Sequence, residues 1–97
     1  MINAMEYKYR LSESVRFKRE LIRAKKRGLD IDELDFIVRK LRRDEPLDLK
    51  YKDHPLKGKY AGHRECHINS DWLLIYKKMK EKLVLHLART GTHSDLF

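Results

Sequence analysis

The sequence predicts an α+β domain in which two N-terminal helices pack on one face of a twisted, mainly antiparallel sheet of about four strands. Three observations predict it. Residues 12–45 carry two consecutive apolar patterns of helical period. Residues 62–89 carry three short runs of strand-forming residues separated by turn residues. A chain of 97 residues suits one modest core and no second one, so 1–97 reads as a single domain.

Taken in order, Met1 to Ala4 read as a disordered lead, and Tyr7 to Leu11 alternates as a first strand would. Ser12 or Ser14 can cap a helix reaching Arg27, in which Phe17, Leu21 and Ala24 recur at helical spacing with Val15 and Ile22 beside them. Gly28 stands where a C′ glycine belongs. Asp30 opens a second helix, with Glu33 completing a capping box and Asp32 and Asp35 at the positive end of the helix dipole. Its stripe is Ile31, Leu34, Ile37, Val38 and Leu41, and Glu45-Pro46 ends it. The connection through Tyr51 to Gly58 has no secondary-structure signal of its own, and long loops are often functional. Strands follow near Gly62 to Ile68, Trp72 to Lys78 and Lys82 to Arg89. In the last, Leu83, Leu85 and Leu87 face the helices and Val84, His86 and Ala88 face away. Arg89 shares the leucines' parity, so it reaches solvent only if the strand ends or bulges there.

Charge narrows the function. The chain has 23 Lys+Arg against 15 Asp+Glu, a formal net charge of +8, which suits a polyanionic partner. Nucleic acid is favoured over a membrane surface, because no long apolar helical face accompanies the charge. The bland reading is a merely soluble basic protein. Spanning a bilayer takes about 20 apolar residues, and no such run occurs. With one cysteine, Cys66, and no signal-type apolar core, the expected compartment is the cytoplasm. Candidate RNA-binding residues are Lys18, Arg19, Arg23, Lys25, Lys26 and Arg27 on the first helix, with Lys52 in the connection.

The stretch Arg64 to Tyr76 places polar chemistry beside the most continuous apolar run. Its Asn69-Ser70-Asp71 turn brings His67 close to Asp71 and Trp72 at the rim of a sheet. His54 and His93 lie in loop-like sequence able to fold onto the same rim. Histidine as a residue type titrates near pH ~6.5, so it can carry protons at neutral pH. Metal ligation by His63, Cys66, His67 and Asp71 competes with this. The spacing matches no established zinc pattern, and on a strand His63 and His67 lie about 13 Å apart, at roughly 3.3 Å per residue. The expectation is therefore no metal and no cofactor. Each residue also has a plainer reading: a structural histidine at a strand end, a solvated His54, a core tryptophan. Projecting on the open face with Tyr76, Trp72 would instead stack a base. Leu96 and Phe97 are apolar enough to anchor the tail that carries His93.

Three segments, Tyr-Lys-Asp-His-Pro-Leu (51–56), Arg-Glu-Cys-His-Ile-Asn-Ser-Asp-Trp-Leu-Leu-Ile-Tyr (64–76) and Arg-Thr-Gly-Thr-His-Ser-Asp-Leu-Phe (89–97), resemble the YafQ-type toxins of the RelE superfamily in order and spacing. The helical half agrees only in pattern. The resemblance implies a toxin of a bacterial type II toxin–antitoxin pair, a ribosome-dependent messenger-RNA endoribonuclease that cuts without a metal. In such cleavage the ribose 2′-hydroxyl attacks the adjacent phosphate, leaving a cyclic phosphate and a free 5′-hydroxyl. It implies a catalytic set of His54, His67, Asp71, His93 and Phe97, with Arg89 as the phosphate-facing cation and Trp72 beside the acidic residue. It also implies messenger RNA on the ribosome, ribosomal RNA and a cognate antitoxin as partners. The chain departs from relatives at Asn69-Ser70, where a proline is frequent, and at Cys66, whose oxidation would disturb His67. Two other functions compete: a toxin of related fold that inhibits a protein target by binding, and an RNA-binding module without chemistry. A pure binder has no need of three histidines around Asp71.

Overall fold

The computed structural model describes residues 7–97, so the expected lead at Met1 to Ala4 lies outside the described residues. Five strands and two long helices follow in the order β1 (Arg10–Glu13), α1 (Val15–Lys26), α2 (Ile31–Arg42), β2 (His54–Pro55), β3 (Arg64–Asn69), β4 (Trp72–Met79) and β5 (Val84–Gly91), and a short terminal helical turn, α3 (His93–Leu96), closes the chain. The sheet order is β1-β5-β4-β3-β2, with β1 parallel to β5 and the other neighbours antiparallel. The architecture is the expected one of two helices on a mostly antiparallel sheet. The expected strand count was one short, because β2 is a two-residue strand at His54. The connection expected to lack structure holds β2 and two 3-10 turns, Leu49–Tyr51 and Gly58–Tyr60.

Ser14 caps α1 by accepting from the Phe17 N–H at 2.8 Å, while its hydroxyl donates to the Ala88 carbonyl at 2.7 Å. One side chain thus starts the helix and fastens it to β5. Gly28 follows the C-cap with φ +76°, a conformation that costs glycine little and lets α2 fold back at once. Asp30 caps α2 by accepting from the Glu33 N–H at 3.2 Å. The other half of the expected capping box is absent among the described residues: the Glu33 carboxylate accepts from the Tyr51 hydroxyl, tying α2 to the connection.

The main core lies between the helices and one sheet face, where Phe17, Ala24, Leu34, Ile37 and Leu41 meet Cys66, Ile68, Trp72, Leu74, Tyr76, Leu85 and Leu87. Three expectations fail here. Val15 and Ile22 point outward, 72% and 55% exposed. Leu83 precedes β5 at φ +53° and is half exposed, so only Leu85 and Leu87 of that trio face the helices. The first strand begins at Arg10, three residues later than expected. On the opposite sheet face a smaller cluster of Leu73, Ile75 and Leu96 is flanked by Leu56, Tyr60 and Ala88.

Candidate active site

Strand parity decides which side chains meet. Cys66 and Ile68 face the core, so Glu65 and His67 project from the face that the helices leave free. On β2, His54 stands directly opposite Glu65. The buried Glu65 carboxylate lies 3.6 Å from Nε2 of both His54 and His67. The chain end then closes the group. Thr92 and Asp95 form a reciprocal capping box, and Gly91 makes room for it, since a Cβ there would fall 2.9 Å from that of Asp95. His93 is thereby fixed at the first position of α3. Its Nδ1 lies 2.7 Å from an oxygen of Asp71, and its backbone N–H donates to the same oxygen at 3.2 Å.

The three imidazoles form a chain across the rim, with ring centroids 6.3 Å apart for His54 and His67 and 5.7 Å for His67 and His93. Phe97, 61% exposed, lies beside His93 and meets the Tyr60 ring edge-on at 5.8 Å. His54 Nδ1 lies 2.6 Å from the Lys52 carbonyl oxygen. A carbonyl has no proton to give, so Nδ1 carries the hydrogen, and in the neutral ring the lone pair sits on Nε2, toward the centre of the group. The hydrogen bond from the His93 ring, and next that from its backbone, holds the Asp71 carboxyl below the usual carboxylate range.

Several expected site residues lie elsewhere. Trp72 and Tyr76 are buried against the helices and offer no face to a base, because their parity is that of Leu74. Arg89 is also buried. A register shift between Ile75 and Tyr76 puts Ala88 out of pairing and turns Arg89 to face Ile75, so the bulge that exposure required is present. Yet the guanidinium is taken up by Glu20 of α1, with Nε 3.1 Å from Oε2, and by the Tyr60 hydroxyl at 3.0 Å. It is not an open phosphate-facing cation. Of the metal set considered from sequence, Cys66 and His63 lie outside the cluster. The thiol is fully buried, and burial chiefly, with Asp53 and Glu65 nearby, raises it far above its usual range. It is shielded rather than poised for oxidation. The donors that do converge are Glu65, His67 and His93, each offering one atom within 4.8 Å of the others.

Glu65 and Tyr60 were missed from sequence. Glu65 was legible in principle, since it sits two residues from His67 on the same strand face. Nothing local marks Tyr60. Lys18, Arg19, Arg23, Lys25 and Lys26 are exposed on α1 and Lys52 is exposed at the rim, whereas Arg27 pairs with Asp95 at 3.0 Å.

A family model described as the bacterial toxin of a type II toxin–antitoxin system, YafQ, matches residues 9–97. The mRNA interferase toxin YafQ of Escherichia coli strain K12 is 41% identical over 85 residues, which is 87% of this chain and 90% of that one. Among solved structures, the E. coli DinJ-YafQ toxin-antitoxin complex contains a chain that matches with TM-score 0.84 at 36% identity, covering 93% of this chain and 98% of that one. A metal-bound toxin from Helicobacter pylori matches with TM-score 0.87 at 42% identity, covering 92% and 99%.

Proposed function

This chain belongs to the YafQ family of bacterial toxins of type II toxin–antitoxin systems, and from that premise we propose that it is an mRNA interferase that cuts ribosome-bound messages by acid–base catalysis. The observation that carries the reading is the meeting of His54, His67 and His93 with Asp71 at one rim, from three distant parts of the chain. Cleavage through the 2′-hydroxyl needs a base for that hydroxyl, an acid for the departing 5′-oxygen, and donors for the charge gathering on the phosphate. His54 is the base, since its free lone pair faces the group; Asp71 is the second candidate. His93 is the acid. Its Nδ1 bond to Asp71 favours the imidazolium and leaves Nε2 free to deliver a proton. His67, beside the buried Glu65 carboxylate, is the positive donor to the phosphate. Arg89 serves by holding β5 and the tail in place, and Phe97 docks a base or the tail itself.

This chemistry takes every proton from a side chain. Glu65, His67 and His93 suit a metal ion by donor type, and a bound ion would occupy the nitrogens of His67 and His93 that the cleavage uses. The exposed bases of α1 meet ribosomal RNA while the message enters at the histidine rim. The partner that silences the toxin is a cognate antitoxin, as DinJ accompanies E. coli YafQ, with an acidic segment that folds on this basic surface. No helix among the described residues is long and apolar enough to cross a membrane, which agrees with work at cytoplasmic ribosomes. A binder of a protein target would leave the three histidines without a task.

The test is to map the 5′ ends of messages in a translation extract after adding wild-type protein or His93→Ala. New ends with wild type and none with the variant, at unchanged thermal stability, support the reading. Equal cutting by both removes His93 from the chemistry.

A further inference from the structure

A second feature adjoins the histidine rim and has no part in the scheme above. Between the start of α2, the 3-10 turn at Leu49–Tyr51 and the β3–β4 turn lies an open cleft of about 380 Å³, within the usual range of ligand pockets of about 300–1,000 Å³. His67 forms one wall of it, so the cleft opens directly from the imidazole chain. Tyr51 and Ile68, each 4% exposed, supply an apolar floor. Lys50 and Lys52 stand exposed at its side.

Two polar groups give the cleft a pattern. The Tyr51 hydroxyl donates to Oε1 of Glu33, which fixes that carboxylate in the wall and leaves Oε2 as an acceptor. Asn69 Oδ1 accepts from the Ser70 N–H at 2.9 Å, which settles the orientation of the amide and leaves its NH₂ as a donor. An acceptor and a donor on an apolar floor suit the edge of a flat heterocycle that offers an amino group beside a ring nitrogen. Adenine and cytosine have that edge; uracil presents carbonyl oxygens where the amino group would be.

We infer that this cleft is a nucleobase subsite that holds an adenine or cytosine adjoining the cut bond, read by Glu33 and Asn69, with Lys50 and Lys52 on the RNA backbone. The inference rests on the reading of the chain as an endoribonuclease and adds the specificity of the same site. Glu33 and Asn69 act in binding alone and take no part in proton transfer.

The experiment uses ribosomes programmed with a set of messages in which each nucleotide flanking the main cut is varied in turn, and maps cuts by wild type, Glu33→Gln and Asn69→Ala. Glutamine can still accept from Tyr51 but presents an amide NH₂ in place of Oε2. Asn69 is exposed, so its replacement leaves the fold intact. Wild type is expected to favour adenine or cytosine over uracil by about tenfold at one flanking position, the range of one good base contact. Glu33→Gln should reverse or erase that preference and Asn69→Ala should reduce it, with total cutting at the best site retained. An unchanged distribution of cuts in both variants, or a uniform loss at all sites, overturns the subsite while leaving the nuclease intact. No cutting by wild type overturns the nuclease reading and the subsite with it.

Discussion

Asp71 is exposed, yet it is the residue that orients His93, through one oxygen that meets both the ring and the backbone N–H. Its carboxyl is held below the ordinary value of about 3.9, chiefly by the His93 side chain. A carboxyl depressed by folding stabilises the folded arrangement above its unfolded pKa and loses that contribution only as pH falls through the lower folded value. The tail should therefore stay docked down to below about pH 4, and Asp71→Asn should loosen it at neutral pH. Amide exchange at residues 93–97, compared between wild type and variant, checks this; equal protection would refute the anchoring role. Cys66, one residue from His67, illustrates how parity separates neighbours. Its thiol lies in the core with a raised pKa, so thiolate-dependent labelling of the native protein should be far slower than that of a free thiol and should rise to the free-thiol rate only on unfolding.

At the scale of elements, the tie between α1 and β5 carries the site. The side chains of Arg89 and Glu20 are only 8% and 11% exposed. Glu20 also accepts from the Thr90 N–H at 3.2 Å, and Thr90 donates its hydroxyl to the Leu73 carbonyl at 2.7 Å. Removing one member of a buried ion pair strands the other charge, at a cost of about 3–5 kcal/mol. Glu20→Ala should be destabilised on that scale, and the double replacement of Glu20 and Arg89 by methionine much less. Chemical denaturation of the three proteins gives the comparison. Retained cutting by a folded double variant would confirm that Arg89 has no contact with the phosphate. In the same region Gly91 has no space for a side chain beside Asp95. Gly91→Ala should displace α3, and with it His93, more than it lowers the melting temperature.

For the whole molecule, the division of labour is between two surfaces. The basic outer face of α1 and the histidine rim lie on different layers, so ribosome binding and cutting should be separable. Each phosphate contact given up by replacing Lys18, Arg19, Arg23, Lys25 or Lys26 with alanine should lower the slope of log affinity against log salt by about 0.7–0.9, with the pattern of cuts unchanged. A binding affinity insensitive to salt would dismiss the basic face. Zinc or copper ions should inhibit by occupying Glu65, His67 and His93, and a chelator should restore full cutting. Loss of activity on chelation would make the ion a participant. The two helices, their caps at Ser14 and Asp30, the three long strands and the positions of the three histidines were legible in the sequence, because helical period, strand alternation and capping are local properties of the chain. Which side chains face each other was decided only by the tertiary structure. A register shift at Ile75/Tyr76 turned Arg89 toward Glu20, parity with Leu74 sank Trp72 into the core, and the pairing of His54 with Glu65 set a buried carboxylate between two imidazoles. Those outcomes depend on pairings between segments far apart in the chain, and no local pattern of residues encodes them.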